Sequence, residues 1–225
     1  MRLRSSLLLT LEGKTLLIDP GPDFRQQALK FHIDHLDGVL VTHAHCDHTA
    51  GLDDLRIYHF RNKAPLPCLV SKETADDLYK RFYFMFKEQP HEVDGSKRIA
   101  LQVLPGERGK ATFLGVPLSY FTYIQQGMKV MGFRFGSFAY VTDLKVYTNE
   151  IFEDLKNIDI LVVSALRFTP SHMHLTVDEA VDFIKKVAPK KAYLTHLAHE
   201  LECEKTNAYL PEGIELAYDG LEIEI

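Results

Sequence analysis

Six consecutive residues, His43-Ala44-His45-Cys46-Asp47-His48, constrain this chain more than any other stretch. They come directly after the apolar run Gly38-Val39-Leu40-Val41-Thr42, so a strand delivers them into a short turn. From extended backbone, imidazoles at i and i+2 point the same way, while Asp47 and His48 reach a second point a little further on. Three ring nitrogens and a carboxylate suit a borderline divalent ion such as zinc, manganese or iron. Cys46 falls between the ligands and reads as a small neutral spacer. The bland alternative is a polar loop rich in histidine. Surface loops rarely place four ligand-type residues at so regular a spacing, and the turn is read as a metal site.

Composition bounds the rest. With 225 residues, 46% of them hydrophobic and 25% charged, the chain can bury a substantial core, and it is read as a single domain over residues 1–225. No apolar run has the length of a membrane span. The opening Met1–Leu9 stretch carries the charge of a signal peptide, but Thr10, Glu12, Gly13 and Lys14 break its apolar stretch and no small-residue cleavage site appears. Cys46, Cys68 and Cys203 lie far apart and form no C-x-x-C pair, which fits a reduced compartment, with the cytoplasm as the default. A net charge of −5 argues against a large nucleic-acid footprint and leaves room for a small phosphorylated substrate.

Along the chain, Leu7–Leu11 and Thr15–Ile18 form a hairpin turned at Glu12-Gly13. Asp23 with Gln26 makes a capping-box start to a helix ending near Phe31. After the histidine turn comes a helix from about Ala50 to Tyr58, then a strand at Pro67–Ser71 and an aromatic-rich helical region from Lys72 to about Lys87. The middle third is strand-dense, with candidates at Ile99–Leu104, Thr112–Leu114, Pro117–Tyr123, Lys129–Phe135 and Phe138–Thr142. Gly136-Ser137 serves as a two-residue hairpin loop. Beyond it the chain alternates: a helix from Glu150, strand Ile160–Ser164, helix Val177–Val187 opened by the Thr176/Glu179 capping box, and strand Ala192–Thr195. Strands at Ile214–Ala217 and Leu221–Glu224 close it. Mixed strands with helices between them predict a layered α/β fold.

A second pattern sharpens the first. Three apolar strands each end in threonine and then a ligand-type residue: Val41-Thr42-His43, Val141-Thr142-Asp143 and Leu194-Thr195-His196. Functional groups in α/β proteins collect where strands end, because a rigid sheet positions them. Taken singly, Asp143 could cap a helix and His196 could be a loop histidine. Taken with the His43–His48 turn, they are read as further ligands of a two-metal site.

These segments, together with Leu17-Ile18-Asp19-Pro20-Gly21, resemble the successive signatures of the metallo-β-lactamase superfamily. That resemblance implies a four-layer αββα sandwich with mixed sheets and a dinuclear metal cleft. Gly51–Arg56, Gly132–Gly136, Ala165-Leu166-Arg167, Tyr193–His199 and Leu216–Gly220 are similar to the phosphoribosyl cyclic phosphate phosphodiesterases of phosphonate breakdown. Carried over by position, the resemblance implies two divalent ions, zinc or manganese. His43 and His45 would hold one, Asp47, His48 and His196 the other, and Asp143 would bridge. Asp19 would fix a ligand imidazole from behind, with His199 in a similar supporting role. His174, in Ser171-His172-Met173-His174-Leu175, matches a histidine that contacts the scissile phosphate as general acid or electrophilic clamp, and Asp47 also falls within the catalytic set. Arg56 and Arg167 are candidate phosphate contacts, weighed against ordinary ion pairing. His172, His32, His35, His59 and His91 read as surface or boundary residues.

Two departures stand out. The family supplies another histidine ligand shortly before Gly132-Phe133, where this chain has Gln125 and Gln126; a glutamine carbonyl suits harder ions better than zinc. Relatives also begin earlier, with a strand and a cysteine cluster; if Met1 is the true start, the first hairpin is left an exposed sheet edge unless a partner chain, such as a second copy, covers it, the equal alternative being a misplaced start. The expected activity is hydrolysis of a small phosphodiester, cyclic ones included, by a hydroxide held between the metals. The competing readings are another ester, thioester or RNA hydrolase on the same scaffold, and a non-catalytic metal-binding member of the family.

Overall fold

The computed structural model describes residues 2–87 and 98–225, so His91 lies outside the described residues. The chain divides into two compact units, one formed by Leu3–Glu107 with Thr112–Val116, the other by Arg2, Arg108–Ala111 and Pro117–Ile225.

The N-terminal unit is built on a five-stranded sheet: β1 (Leu7–Leu11), β2 (Lys14–Ile18), β3 (Gly38–Leu40), β4 (Leu66–Val70) and β5 (Ile99–Val103), in that spatial order. β1 and β2 are antiparallel, paired from Leu7 with Ile18 to Leu11 with Lys14. Their turn takes positive φ at both Glu12 (51°) and Gly13 (70°), the geometry whose twist matches a hairpin. β2, β3, β4 and β5 are all parallel, and Ile18, Leu40 and Leu69 stand in register. The C-terminal ends of β2 and β3 therefore emerge side by side. Helices α1 (Phe24–Lys30), α2 (Cys46–Thr49), α3 (Arg56–Asn62), α4 (Lys72–Arg81) and α5 (Tyr83–Phe86) complete the unit. Its core gathers Leu17, Phe24, Leu36, Val39, Val41, Leu52, Tyr58, Cys68 and Leu78. Tyr58 Oη donates to Ile33 O at 2.6 Å, so its polar end is satisfied within that core.

The C-terminal unit carries β6 (Arg108–Phe113), β7 (Val116–Gln125), β8 (Met128–Phe135), β9 (Phe138–Val141), β10 (Ile160–Ser164), β11 (Lys191–Thr195) and β12 (Ile214–Leu216). They form a seven-stranded sheet in the order β12-β11-β10-β9-β8-β7-β6. β9 to β12 run parallel, while β7, β8 and β9 are antiparallel neighbours. Again the C-terminal ends of the parallel strands line one edge: Val141 pairs with Val163, and Ser164 with Thr195. Helices α6 (Glu150–Asp154), α7 (Val177–Val187) and α8 (Cys203–Tyr209) accompany the sheet. Val177, Ala180, Val181 and Ile184 of α7 pack into a core with Leu161, Val163, Phe183 and Leu194. The α/β class with two mixed sheets is as expected from the sequence.

Several local expectations need correction. Asp23 precedes α1 but makes no side-chain cap bond; its carboxylate accepts from Arg4 N at 2.7 Å instead. In place of the expected Ala50–Tyr58 helix, α2 ends at Thr49 and a short 3-10 turn at Leu52–Leu55 leads into α3. The break falls at Gly51, whose N–H donates to Pro20 O, and where a Cβ would stand 2.2 Å from Gly21 O. The region from Lys72 to Lys87 is two helices, interrupted at Phe82. Leu221–Glu224 pairs with no strand among the described residues, and α8 has no counterpart among the expected elements.

Candidate metal centre

Each unit presents ligand-type side chains at the edge where its parallel strands end. In the N-terminal unit the arrangement begins with Asp19, directly after β2. It is fully buried and sits at φ 59°, in the left-handed region that aspartate tolerates better than most residues. Its Oδ1 accepts from Thr42 N at 2.8 Å and its Oδ2 from Thr42 Oγ1 at 2.7 Å. Oδ2 also lies 2.8 Å from His48 Nδ1, so that ring nitrogen carries the proton. His48 Nε2, the ring atom that would then face an ion, lies 3.7 Å from Asp47 Oδ2.

The same carboxylate sets a second ring through Thr42. A hydroxyl has one proton, and Thr42 gives it to Asp19. The 2.9 Å contact between Thr42 Oγ1 and His43 Nδ1 must therefore have the ring donating, which turns the lone pair of His43 Nε2 outward. His43 Nε2 and His45 Nδ1 stand 3.0 Å apart. Ligand nitrogens at about 2.1 Å from a common ion are separated by roughly that distance. The donor set fits a divalent ion.

Backbone packing holds this turn in place. His45 precedes α2 in extended conformation, and Thr49 Oγ1 donates to His45 O at 2.8 Å. A Cβ at Gly21 would meet Asp47 O at 2.4 Å, so only glycine lets the Asp19-Pro20-Gly21 turn lie against the motif. Arg81, near the end of α4, reaches over to Ala44 O at 2.5 Å and Thr49 Oγ1 at 3.2 Å. Sequence reasoning misses Arg81. Its i,i+4 pair with Asp77 looks like an ordinary exposed helix pair and gives no hint of a second duty. Cys68 stays structural: burial, with a smaller push from the Asp19 carboxylate, raises its thiol to about 12.

In the C-terminal unit, Asp143 comes after β9 at φ 55° and His196 after β11 at φ 58°. Asp143 is buried; its Oδ1 accepts from Thr142 Oγ1 at 2.8 Å and lies 3.3 Å from His196 Nε2. Asp143, His174 and His196 present ligand atoms all within 4.8 Å of one another, a group able to hold a metal ion. His174 is buried, its Nδ1 is 3.7 Å from Asp143 Oδ2, and its ring stacks on that of His196 with centroids 4.8 Å apart. Its loop is stitched down by Leu175 N to Leu144 O and by Leu166 N to Leu175 O.

Of the two glutamines, Gln125 is the one facing this group. It ends β7 fully buried, whereas Gln126 is exposed in the adjoining turn. Gln125 Nε2 donates to Asp143 Oδ2 at 2.8 Å and lies 3.3 Å from both ring nitrogens of His174. Its Oε1 is buried without a hydrogen-bond partner among the described residues. Such an orphan acceptor costs about 1–3 kcal/mol and calls for an explanation.

The remaining candidates fall outside these groups. His199 is exposed. Arg56 is exposed, pairs with Asp53 at 3.5 Å and lines an apolar groove with Phe24, Leu29 and Phe60. Arg167 pairs with Glu200 at 3.3 Å while its Nε is buried without an acceptor. His172 is exposed, His35 pairs with Asp37, and His59 is buried with Nδ1 bonded to Ala64 O.

Residues 14–197 match the family model described as the beta-lactamase superfamily domain. The chain is 34% identical to a solved diphosphatase of the PhnP family, covering 98% of this chain and 83% of that one with a TM-score of 0.88. The chain belongs to the metallo-β-lactamase superfamily and is PhnP-like. A Porphyromonas gingivalis protein named octanoyltransferase is 36% identical over 98% of this chain. A metal-dependent hydrolase of Herpetosiphon aurantiacus is 37% identical over 29% of it. The chain spans less than half the length of these curated relatives, 44% and 27% respectively. The histidine–aspartate groups are residues able to hold a metal ion.

Proposed function

We propose that this chain hydrolyses a small phosphodiester, cyclic ones included, with the help of two divalent ions, zinc or manganese. The observation that carries the reading is His174: a buried imidazole stacked on His196 and 3.7 Å from Asp143, so a side chain of the usual acid–base type lies against candidate ligands. The kinship to a PhnP-family diphosphatase supports phosphorus as the reacting atom. By the superfamily pattern His43, His45, Asp47, His48, Asp143 and His196 would be the metal ligands.

When bound, the ions supply positive charge for the phosphoryl oxygens and a water acidic enough to attack phosphorus near neutral pH. The chain's own residues do the rest. Asp19 keeps His48 and, through Thr42, His43 in the tautomer that offers Nε2. Thr142 steadies Asp143 Oδ1. His174 delivers a proton to the leaving oxygen or polarises it. The proposed setting is the cytoplasm, with a small phosphorylated substrate; no helix among the described residues is long and apolar enough to cross a membrane.

The direct test is turnover of bis(p-nitrophenyl) phosphate by metal-loaded protein. Asp143→Ala and His174→Ala should each lower it by about 100-fold or more. Turnover that survives both substitutions removes the assignment. A second reading, hydrolysis of an acyl thioester, is favoured by the octanoyltransferase relative, of which this chain matches 44%. An octanoyl thioester offered to the same preparation separates the two, and turnover of neither points to a non-catalytic metal-binding protein.

A further inference from the structure

We infer that Gln125 is an oxygen ligand that biases the ion held with Asp143 toward harder divalent cations than zinc. The inference deepens the proposed function, and it rests on that reading of Asp143 and His196 as ligands.

Gln125 is set into the group by its strand. Ile124 exchanges both backbone hydrogen bonds with Val146, so the end of β7 lies against the segment just beyond Asp143. The side chain is fully buried, yet only one end of its amide is used. Nε2 donates to Asp143 Oδ2 at 2.8 Å and faces both ring nitrogens of His174 at 3.3 Å, while Oε1 has no hydrogen-bond partner among the described residues. A purely structural glutamine in a packed interior would satisfy both ends.

The arrangement makes sense for a residue with two partners. Without a cation, the N–H supplies the positive end that the Asp143 carboxylate needs. The two ends of the amide share one carbon, so a half-turn exchanges them in place. Oε1 then faces Asp143 Oδ2, an approach of two oxygens that needs a cation, or a proton on the carboxyl group, between them. The resulting donors at this end are oxygens from Gln125 and Asp143, with the imidazole of His196 against the other carboxylate oxygen, Oδ1, at 3.3 Å. Carbonyl and carboxylate oxygens favour manganese or magnesium, whereas an imidazole in place of the amide would favour zinc.

The test reads metal binding alone. Protein stripped with chelator is titrated with Zn²⁺ and separately with Mn²⁺, using competition with a chromophoric indicator and, for manganese, EPR. The wild type should take one zinc equivalent tightly and a second at least about tenfold more weakly, and Gln125→His should tighten the second by about 10–100-fold. Gln125→Glu is nearly isosteric and places a carboxylate against Asp143. Its metal-free melting temperature should fall below that of the wild type, and Mn²⁺ should raise it by more. Two equally tight zinc equivalents in the wild type overturn the inference. So do Gln125→His and Gln125→Glu proteins that both titrate as the wild type does. A protein that binds metal as expected but turns over no phosphodiester leaves the ligand assignment standing and removes the hydrolase reading.

Discussion

At the scale of single residues, Asp19 does more than its distance from any ligand turn in the sequence suggests. One carboxylate accepts from Thr42 N, Thr42 Oγ1 and His48 Nδ1, and through the threonine it also orients His43. Asp19→Asn replaces one acceptor oxygen with a donor, so these bonds cannot all persist. Zinc affinity, measured by competition titration, should fall by about 10–100-fold while the circular dichroism spectrum is retained. An unchanged affinity would mean that His43 and His48 are positioned by something else. The H-x-H-x-D-H run is legible because ligand types at short spacing have few other uses. Thr42 stands out in the sequence only as a strand-end residue, and Arg81 not at all. Their roles depend on tertiary neighbours, Ala44 and Thr49 in the case of Arg81, that no local pattern encodes. Gln125 and Gln126 are adjacent, and only the pleat of β7 decides which one turns inward.

At the scale of elements, α7 forms where local signals agree. Thr176 Oγ1 accepts from Glu179 N at 3.1 Å, and Glu179 returns the bond to Thr176 N at 2.8 Å. Thr176→Ala should cost about 1 kcal/mol of stability in urea denaturation. Partial burial works to raise the Glu179 carboxyl, but the bonds from Thr176 and Lys145 prevail and hold it below its ordinary 4.5. Since the folded value is the lower one, its stabilisation is complete above 4.5 and fades as pH falls through the native value. Glu179→Gln should therefore flatten the acid limb of the stability curve and leave its shape near neutrality unchanged. Elements with agreeing signals are legible in the same way: β10 and α7 fall where alternation, caps and flanking residues coincide. Leu221–Glu224 alternates apolar and acidic residues, yet a strand also needs a neighbour to pair with, and that is not a local property. The helix expected after Ala50 breaks because Gly51 must approach Pro20 and Gly21, residues some thirty positions away.

At the scale of the whole molecule, metal and stability are linked. An ion that binds the folded chain and not the unfolded one at a hundred times its dissociation constant adds about 2.7 kcal/mol. For a chain of this size that is a rise in melting temperature of roughly 5–10 °C, removed by chelator and restored by Zn²⁺ or Mn²⁺ in calorimetry. A melting curve indifferent to chelator would count against every metal role assigned to these side chains.

Asp19, Asp143 and His196 share one backbone trait, a left-handed twist immediately beyond a strand. Each functional group is thus aimed by a main-chain conformation that asparagine or glycine accept and β-branched residues resist. Engineers seeking a new cation preference would meet a conformational toll at those three positions on top of the change in donor chemistry. Gln125, in ordinary extended strand, carries no such toll, which makes it the natural place for laboratory evolution to begin.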